Sequence, residues 1–334
     1  MKALVWNGPS DLTLESVSEP VLSPGYALVH VTSASICGSD VSGYIGKMGN
    51  RTPGQIMGHE FAGVVQAVAD SSDGHWAGQR VTVNPLVSCG TCEACISGMP
   101  QRCDTWALIG VQRPGGFAEA VAVPVANLLR LPESHTETLA SLVEPVAHGY
   151  HGARVATRGG IQGSMLVIGA GTVGLFAALA ASQLGISRIC VLERDPHRRS
   201  TAESLGLAAF ELVDDVRAYL GAPDVIFDAV GSSATRSLAV ELVRRGGRVV
   251  LDGLADPMGE FSFMQAILRE VEMHGSFGYA PEDFDSALAV LEGDSFGISS
   301  HVKVIPFAEG PAAFASMAGG DLHTLKTVLH VSES

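Results

Sequence analysis

The sequence predicts an α/β protein in two parts: an antiparallel β domain with loop insertions, and a domain built on a doubly wound parallel sheet. Three observations predict it. Residues 1–140 carry many short β-type runs broken by Gly and Pro, among them 27–32, 61–69, 80–83 and 117–123, with little helical periodicity. From Met165 the rhythm changes to strand, helix, strand, the mark of a parallel sheet covered by helices. At the first of those strand-to-helix turns stands Gly169-Ala170-Gly171-Thr172-Val173-Gly174.

Element by element, 1–6 reads as a first strand turning at Asn7-Gly8-Pro9-Ser10, too short and too soon polar for a signal peptide. In the second part, 165–169 is an apolar strand, 172–184 an Ala/Leu-rich helix that stops at Gly185, 188–193 a second strand and 196–205 a second helix. Later strands are expected at 224–230, 247–251 and 272–277. After Pro281 the pattern is mixed: helix 281–291, strand 301–307, a helix near 311–317 and strand 325–331. This tail is expected to rejoin the first part. The division is then 1–145 with 282–334, including a cysteine lobe at about 86–104, and 146–281 as an inserted domain. Stretches 70–78 and 159–163 are turn or linker material.

A chain of 334 residues favours two cores over one, and 46% apolar residues supply them. The net charge of −14 is a poor match for nucleic acid or an anionic membrane, which need a basic surface. No run approaches 18 uninterrupted apolar residues, so no transmembrane helix is expected.

Cys89, Cys92, Cys95 and Cys103 form a C-x2-C-x2-C-x7-C array. Four thiolates suit a closed, tetrahedral structural zinc, and an acidic chain without clustered Lys/Arg around the array disfavours a zinc-ribbon nucleic-acid module. A disulfide set is the other reading, and it fits poorly with cysteine usage that points to a reducing, cytoplasmic setting. Cys190 lies in an apolar run and is expected to be buried. A second set, Cys37, His59, Glu60 and Glu144, mixes sulfur, nitrogen and oxygen. That mixture suits a zinc with one position open, which polarises an alcohol oxygen. Asp40 is a candidate to hold the second nitrogen of His59, and Ser39 a candidate to accept the alcohol proton.

The glycine loop follows a strand and opens a helix, the context in which backbone N–H groups hold a pyrophosphate; Gly169, Gly171, Thr172, Val173 and Gly174 are its candidate contacts. Glu193 ends the next strand, where an acid bonds the adenine ribose 2′-hydroxyl and repels a 2′-phosphate. That favours NAD, although Arg194, Arg198 and Arg199 offer guanidiniums to a phosphate.

On these motifs, together with Gly115-Gly116-Phe117-Ala118-Glu119 and Glu144-Pro145, the chain resembles the zinc-dependent medium-chain alcohol and polyol dehydrogenases over nearly its whole length. The resemblance implies a GroES-like β catalytic domain with a Rossmann NAD-binding domain, the site in the cleft between them, and homodimers or homotetramers paired through the Rossmann sheets. It implies two zinc ions per chain. Cys37, His59 and Glu144 are then catalytic ligands with Glu60 able to enter, and the four-cysteine lobe is structural. Glutamate at 144 resembles the sorbitol, threonine and butanediol dehydrogenase branches. Lys326 matches a basic residue that reaches the cofactor phosphates in some members. Where many members carry a relay histidine, this chain has Val41, Ser42, Gly43 and Tyr44, so any relay runs from Ser39 through the cofactor ribose, water, Ser42 or Tyr44. The expected activity is reversible hydride transfer between NAD and a secondary alcohol, polyol or related hydroxyl compound. The rivals are a zinc-free quinone or enoyl reductase of the same fold, which lacks the Cys/His/Glu set, and a non-catalytic cofactor sensor. The substrate is not named by the sequence, because function lies in the site grafted on a fold.

Overall fold

The computed structural model describes residues 1–321 and 323–331. It divides into two compact units, Met1–Glu144 with Ala280–Ser334, and Pro145–Tyr279.

The first unit is organised around the strand Tyr26–Ser35, whose sequence of mostly small and β-branched residues is buried on both faces. Glu60–Val68 runs antiparallel along one side of it. Ala120–Pro124 pairs with the first half of the other side, and Lys326–His330 with the end. Arg80–Val83 and Leu128–Arg130 extend the sheet beyond Glu60–Val68. The tail departs from an all-antiparallel plan: Val302–Pro306 runs parallel to Lys326–His330, with the helix Gly310–Ala318 between them in sequence, as a parallel pair requires a crossover. A smaller sheet joins Lys2–Gly8 to Asp11–Ser16 and Gln55–Ile56. Phe314 of the crossover helix packs edge-on to Phe117 and tilted against Tyr44, with centroids 5.6 and 5.5 Å away, inside a core that also holds Leu4, Phe61 and Leu329.

The second unit is the parallel sheet. Its strands are β1 (Ser164–Ile168), β2 (Arg188–Leu192), β3 (Ala208–Phe210), β4 (Val225–Asp228), β5 (Arg248–Leu251) and β6 (Glu272–Gly275), in the order β3-β2-β1-β4-β5-β6. The order reverses at β1, the switch point at which such sheets take their ligands. The helices are α1 (Val143–Thr157), which leads into the sheet, α2 (Thr172–Gln183), α3 (Pro196–Ser204), α4 (Val213–Leu220), α5 (Ser233–Leu242) and α6 (Phe263–Leu268). α1 covers a stretch without a helical signal, because Gly149 and Gly152 weaken propensity. Packing decides instead. A Cβ on Gly149 would lie 2.6 Å from that of Phe176, and one on Gly152 2.4 Å from the Phe227 ring. Cys190 is buried in β2 as expected. No helix among the described residues is long and apolar enough to cross a membrane.

Candidate active site

Cys37, His59 and Glu60 converge, with their ligand atoms all within 4.8 Å of one another. Cys37 precedes the short helix Gly38–Tyr44, and Glu60 opens the strand Glu60–Val68. The turn before His59 is set by backbone contact. Gly58 has φ +95°, and an added Cβ would stand 2.8 Å from the Phe117 ring. A Cβ on Gly110 or Gly115 would meet the Gly58 backbone at 2.5 or 2.4 Å, and one on Gly116 the Phe61 ring at 2.4 Å. Gly116 also donates its N–H to Gly58 O at 2.8 Å.

A buried set of charges surrounds the three donors. Asp40 is fully buried. It accepts from the Cys37 N–H at 3.3 Å and from Arg51 at 3.5 Å. Its Oδ1 also lies 3.5 Å from His59 Nδ1. At that distance His59 Nδ1 makes no well-formed hydrogen bond, so the pair is an electrostatic contact in this arrangement. Burial acts to raise the Asp40 pKa, but His59, Arg51 and the Cys37 N–H outweigh it and hold it below the usual aspartate value. Burial opposes a charge on His59, whereas Asp40 and Cys37 draw its pKa well above the usual value.

Both oxygens of Glu60 are held. Oε1 accepts from Lys326 Nζ at 2.6 Å, and Oε2 accepts from the Ser35 hydroxyl. Strand register arranges this, because Ser35 sits opposite Glu60 and Val328 opposite Ser35. The Lys326 side chain is 2% exposed. Burial opposes its charge, and Glu60, Cys37 and Glu144 overcome that and raise its pKa. The resemblance assigns Lys326 to cofactor phosphates; in the structure its ammonium meets Glu60. Glu144 is buried, and the tight donor group contains Glu60 rather than Glu144 among the described residues. Ser39 is half-buried on the first turn after Cys37. Sequence reasoning missed Ser35, which ends its strand two residues before Cys37, and the pairing of Arg51 with Asp40.

The four cysteine sulfurs also lie within 4.8 Å of one another. Cys92 and Cys95 Sγ are 3.5 Å apart and Cys89 and Cys95 Sγ 3.8 Å apart. A tetrahedron with Zn–S bonds of ~2.3 Å has edges of about 3.8 Å, so the donor set fits zinc. Backbone N–H groups of Thr91 and Cys92 point at Cys89 Sγ from 3.5 and 3.3 Å. With Thr91 contributing most, these bonds push the Cys89 thiol down to about 5, toward the thiolate a metal needs. The Cys95 N–H acts to lower Cys92, but sharing a proton with the Cys95 sulfur and burial push it up to about 11.

In the second unit, Gly169 has φ +99° and Gly171 caps α2. A Cβ on Gly174 would fall 2.1 Å from Gly169 O, so this glycine closes the turn, while Thr172 and Val173 are half-buried on the first helical turn. Glu193 follows β2 and is buried. It accepts from the Ala170 N–H at 2.8 Å and from the Asp195 N–H at 2.9 Å, which ties it to the glycine loop. Arg199 pairs with Glu211 at 2.9 Å and donates to the Glu193 carbonyl. Arg194 is exposed and Arg198 half-buried.

Residues 23–133 match the alcohol dehydrogenase GroES-like domain, and residues 172–293 the zinc-binding dehydrogenase domain. The chain is 32% identical to L-galactonate-5-dehydrogenase of Escherichia coli K12 over 85% of each chain. It is 31% identical to D-altritol 5-dehydrogenase of Agrobacterium fabrum over 82% of each. Among solved structures, an alcohol dehydrogenase of Escherichia coli CFT073 complexed with NADH superposes with a TM-score of 0.91 at 28% identity, over 99% of both chains. With two family models matched and relatives above 30% identity over most of its length, the chain belongs to the zinc-dependent alcohol and polyol dehydrogenase family, oxidoreductases that move hydride between an alcohol and a ketone.

Proposed function

We propose that this chain is an NAD-dependent, two-zinc dehydrogenase acting on a secondary hydroxyl of a polyol or sugar acid. The observation that carries the proposal is the buried group of Cys37, His59 and Glu60. Its donors suit zinc, and its carboxylate is oriented through both oxygens. Zinc there supplies Lewis acidity to the hydroxyl being oxidised. Cys37, His59 and Glu60 would hold it, with Glu144 the second carboxylate available to the site. Asp40 orients His59, and Ser35 and Lys326 fix the Glu60 plane. Ser39 accepts the hydroxyl proton. Cys89, Cys92, Cys95 and Cys103 would hold the second zinc. The substrate class draws on the relatives named for L-galactonate and D-altritol.

Glu193 supports NAD, because its carboxylate stands where a 2′-phosphate would meet like charge. Arg194 and Arg198 are the residues that would favour NADP if that carboxylate were removed. Glu193→Ser should therefore lower the NAD-over-NADP ratio of kcat/KM by one to two decades, about 1.5–3 kcal/mol for a charge-assisted hydrogen bond. Assembly belongs to the same proposal. Phe263, Met264, Ile267 and Leu268 of α6 expose apolar side chains, and β6 ends the sheet, which supports a homodimer or homotetramer formed there. Reduced thiols at both metal sites fit a cytoplasmic setting.

The test is zinc analysis together with NADH formation from a panel of polyols, sugar acids, diols and amino alcohols. Two zinc ions per chain and turnover on a polyhydroxylated substrate are expected. Full turnover without zinc, or a native preference for NADP, would overturn the corresponding part.

A further inference from the structure

Two buried carboxylates stand beside the Cys37 cluster, and they are held differently. Glu60 has the Lys326 ammonium at 2.6 Å. The contacts of Asp40 are all longer. Its Oδ2 accepts from the Cys37 N–H at 3.3 Å, and its Oδ1 has both Arg51 Nη2 and His59 Nδ1 at 3.5 Å. Both of those donor groups are short of partners. The Arg51 side chain is 2% exposed, yet its Nε has no hydrogen-bond partner among the described residues, and neither does His59 Nδ1. Arg51 Nη1 reaches Asn50 Oδ1 at 3.5 Å.

Well-formed hydrogen bonds from nitrogen to oxygen span about 2.7–3.2 Å, and buried polar atoms are normally paired. One Asp40 oxygen therefore stands within reach of two buried donor groups and closes on neither. The backbone keeps the guanidinium at this post. Asp40 and Gly43 are three residues apart on the short helix Gly38–Tyr44, so they share a helix face. The three atoms nearest to a Cβ added at Gly43 all belong to Arg51: Nε at 2.6 Å, Cζ at 3.2 Å and Nη2 at 3.2 Å. The missing side chain at Gly43 is the room that the guanidinium occupies.

We infer that Arg51 is a positioning residue that weakens the hold of the Cys37 cluster on zinc, by competing with His59 for the Asp40 carboxylate. A carboxylate bonded to the far nitrogen of a ligating imidazole strengthens metal binding by about 10–100-fold. Arg51 opposes this in two ways. It draws on the oxygen that His59 Nδ1–H needs, and it places a positive charge near a divalent cation. Without Arg51, the buried Asp40 would lack its cation, and the metal-bound His59 would be the nearest group to replace it. Both effects have the same sign, so loss of this cation should tighten zinc rather than release it. The inference rests on the zinc reading above.

The test is chelator competition on the zinc-loaded protein, following the zinc ion that Cys37→Ala removes and using the lobe's zinc as the internal control. Arg51→Met should bind that ion about tenfold more tightly, the lower end of what a partner does for a ligating histidine, with the lobe unchanged. Its zinc-free form should melt below the zinc-free wild type, because Asp40 has lost a buried cation, and added zinc should raise its melting temperature by more. Arg51→Lys keeps the charge and should stay near the wild-type affinity. Gly43→Ala, whose new methyl group displaces the guanidinium, should shift zinc binding in the same direction as Arg51→Met, and it replaces that variant if it does not fold. Unchanged or weaker zinc binding in Arg51→Met, an equal change at both zinc ions, or a lysine variant as tight as the methionine one would overturn the inference. Wild-type protein with zinc in the lobe and none at Cys37 would overturn the zinc reading, and this inference with it.

Discussion

The four sulfurs of the cysteine lobe come from one short stretch, 89–103, and are aimed by that stretch's own N–H groups. The donors of the other cluster come from residues 37, 59 and 60 and lean on Asp40, Arg51, Ser35 and Lys326, the last 266 residues from its partner. Cys89 is exposed, whereas Asp40, Glu60 and Lys326 are buried. A local loop can arrange a closed site without involving the core. A site that keeps one face for a substrate must bury its remaining charges, and those must be balanced from distant strands. The two clusters should therefore fail differently: the lobe by losing stability, the buried cluster by losing chemistry or metal.

The largest expected effect is that of Cys37→Ala. Turnover should fall by more than the roughly 100-fold typical of removing a partner outside the ligand shell. Elemental analysis should still find the lobe's zinc, and the melting temperature should hold. Full zinc with normal turnover would end the distinction. Cys95→Ser should do the reverse, because a tetrathiolate site contributes folding energy. A Tm drop of roughly 5–10 °C, which is ~2–4 kcal/mol for a unit of this size, should accompany unchanged turnover per folded molecule. Lost turnover at an unchanged Tm would contradict it.

Asp40→Asn sharpens the comparison within the buried cluster. Asparagine cannot balance Arg51 or hold His59 as well, so zinc affinity there should fall about 10–100-fold in a chelator competition while the lobe's zinc stays. Equal release from both sites would merge the two regions into one.

The smallest effect is expected for a pair that touches neither cluster. Asp224 accepts from the Ser164 N–H at 2.7 Å, its hydroxyl at 2.9 Å and Arg244 Nε at 2.6 Å. Burial acts to raise the Asp224 pKa, but Arg244 and Ser164 hold it below the ordinary 3.8. A depressed carboxylate contributes stability that is present above the unfolded value and lost as pH falls through the lower folded one. Arg244 is 43% exposed, so screening keeps the contribution to about 1 kcal/mol. The Tm gap between Asp224→Asn and wild type should be flat near neutrality and close below about pH 3.8. A gap that widened on acidification would show that the sign is wrong.

What the sequence made legible follows the same division. The cysteine array and the glycine loop are contiguous, so spacing alone exposes them. Cys37 and His59 were found through short motifs. Ser35 and the Lys326–Glu60 pair were not, because strand register brings them together and no local pattern encodes register between strands so far apart. The strands of the parallel sheet were visible as apolar runs. The helix α1 was not, since Gly149 and Gly152 sit where Phe176 and Phe227 leave no room for a Cβ, and propensity then argues against the helix that packing selects. The contact of Asp252 with His148 was not visible either, because the two lie 104 positions apart in sequence. Each is an ordinary residue until the fold sets them 3.0 Å apart.

The glycines that brace the turn before His59 set a limit on how this sequence can drift. At Gly58, Gly110, Gly115 and Gly116 the first carbon of any side chain would fall within 3 Å of another atom, and at Gly58, Gly110 and Gly115 that includes backbone. Gly38, beside the ligand Cys37, has nothing within 4 Å of that position. In a randomised library the four braced positions should accept a one-letter alphabet and Gly38 a broad one. Proximity to the metal site is then a poor guide to which residues a descendant protein is free to change.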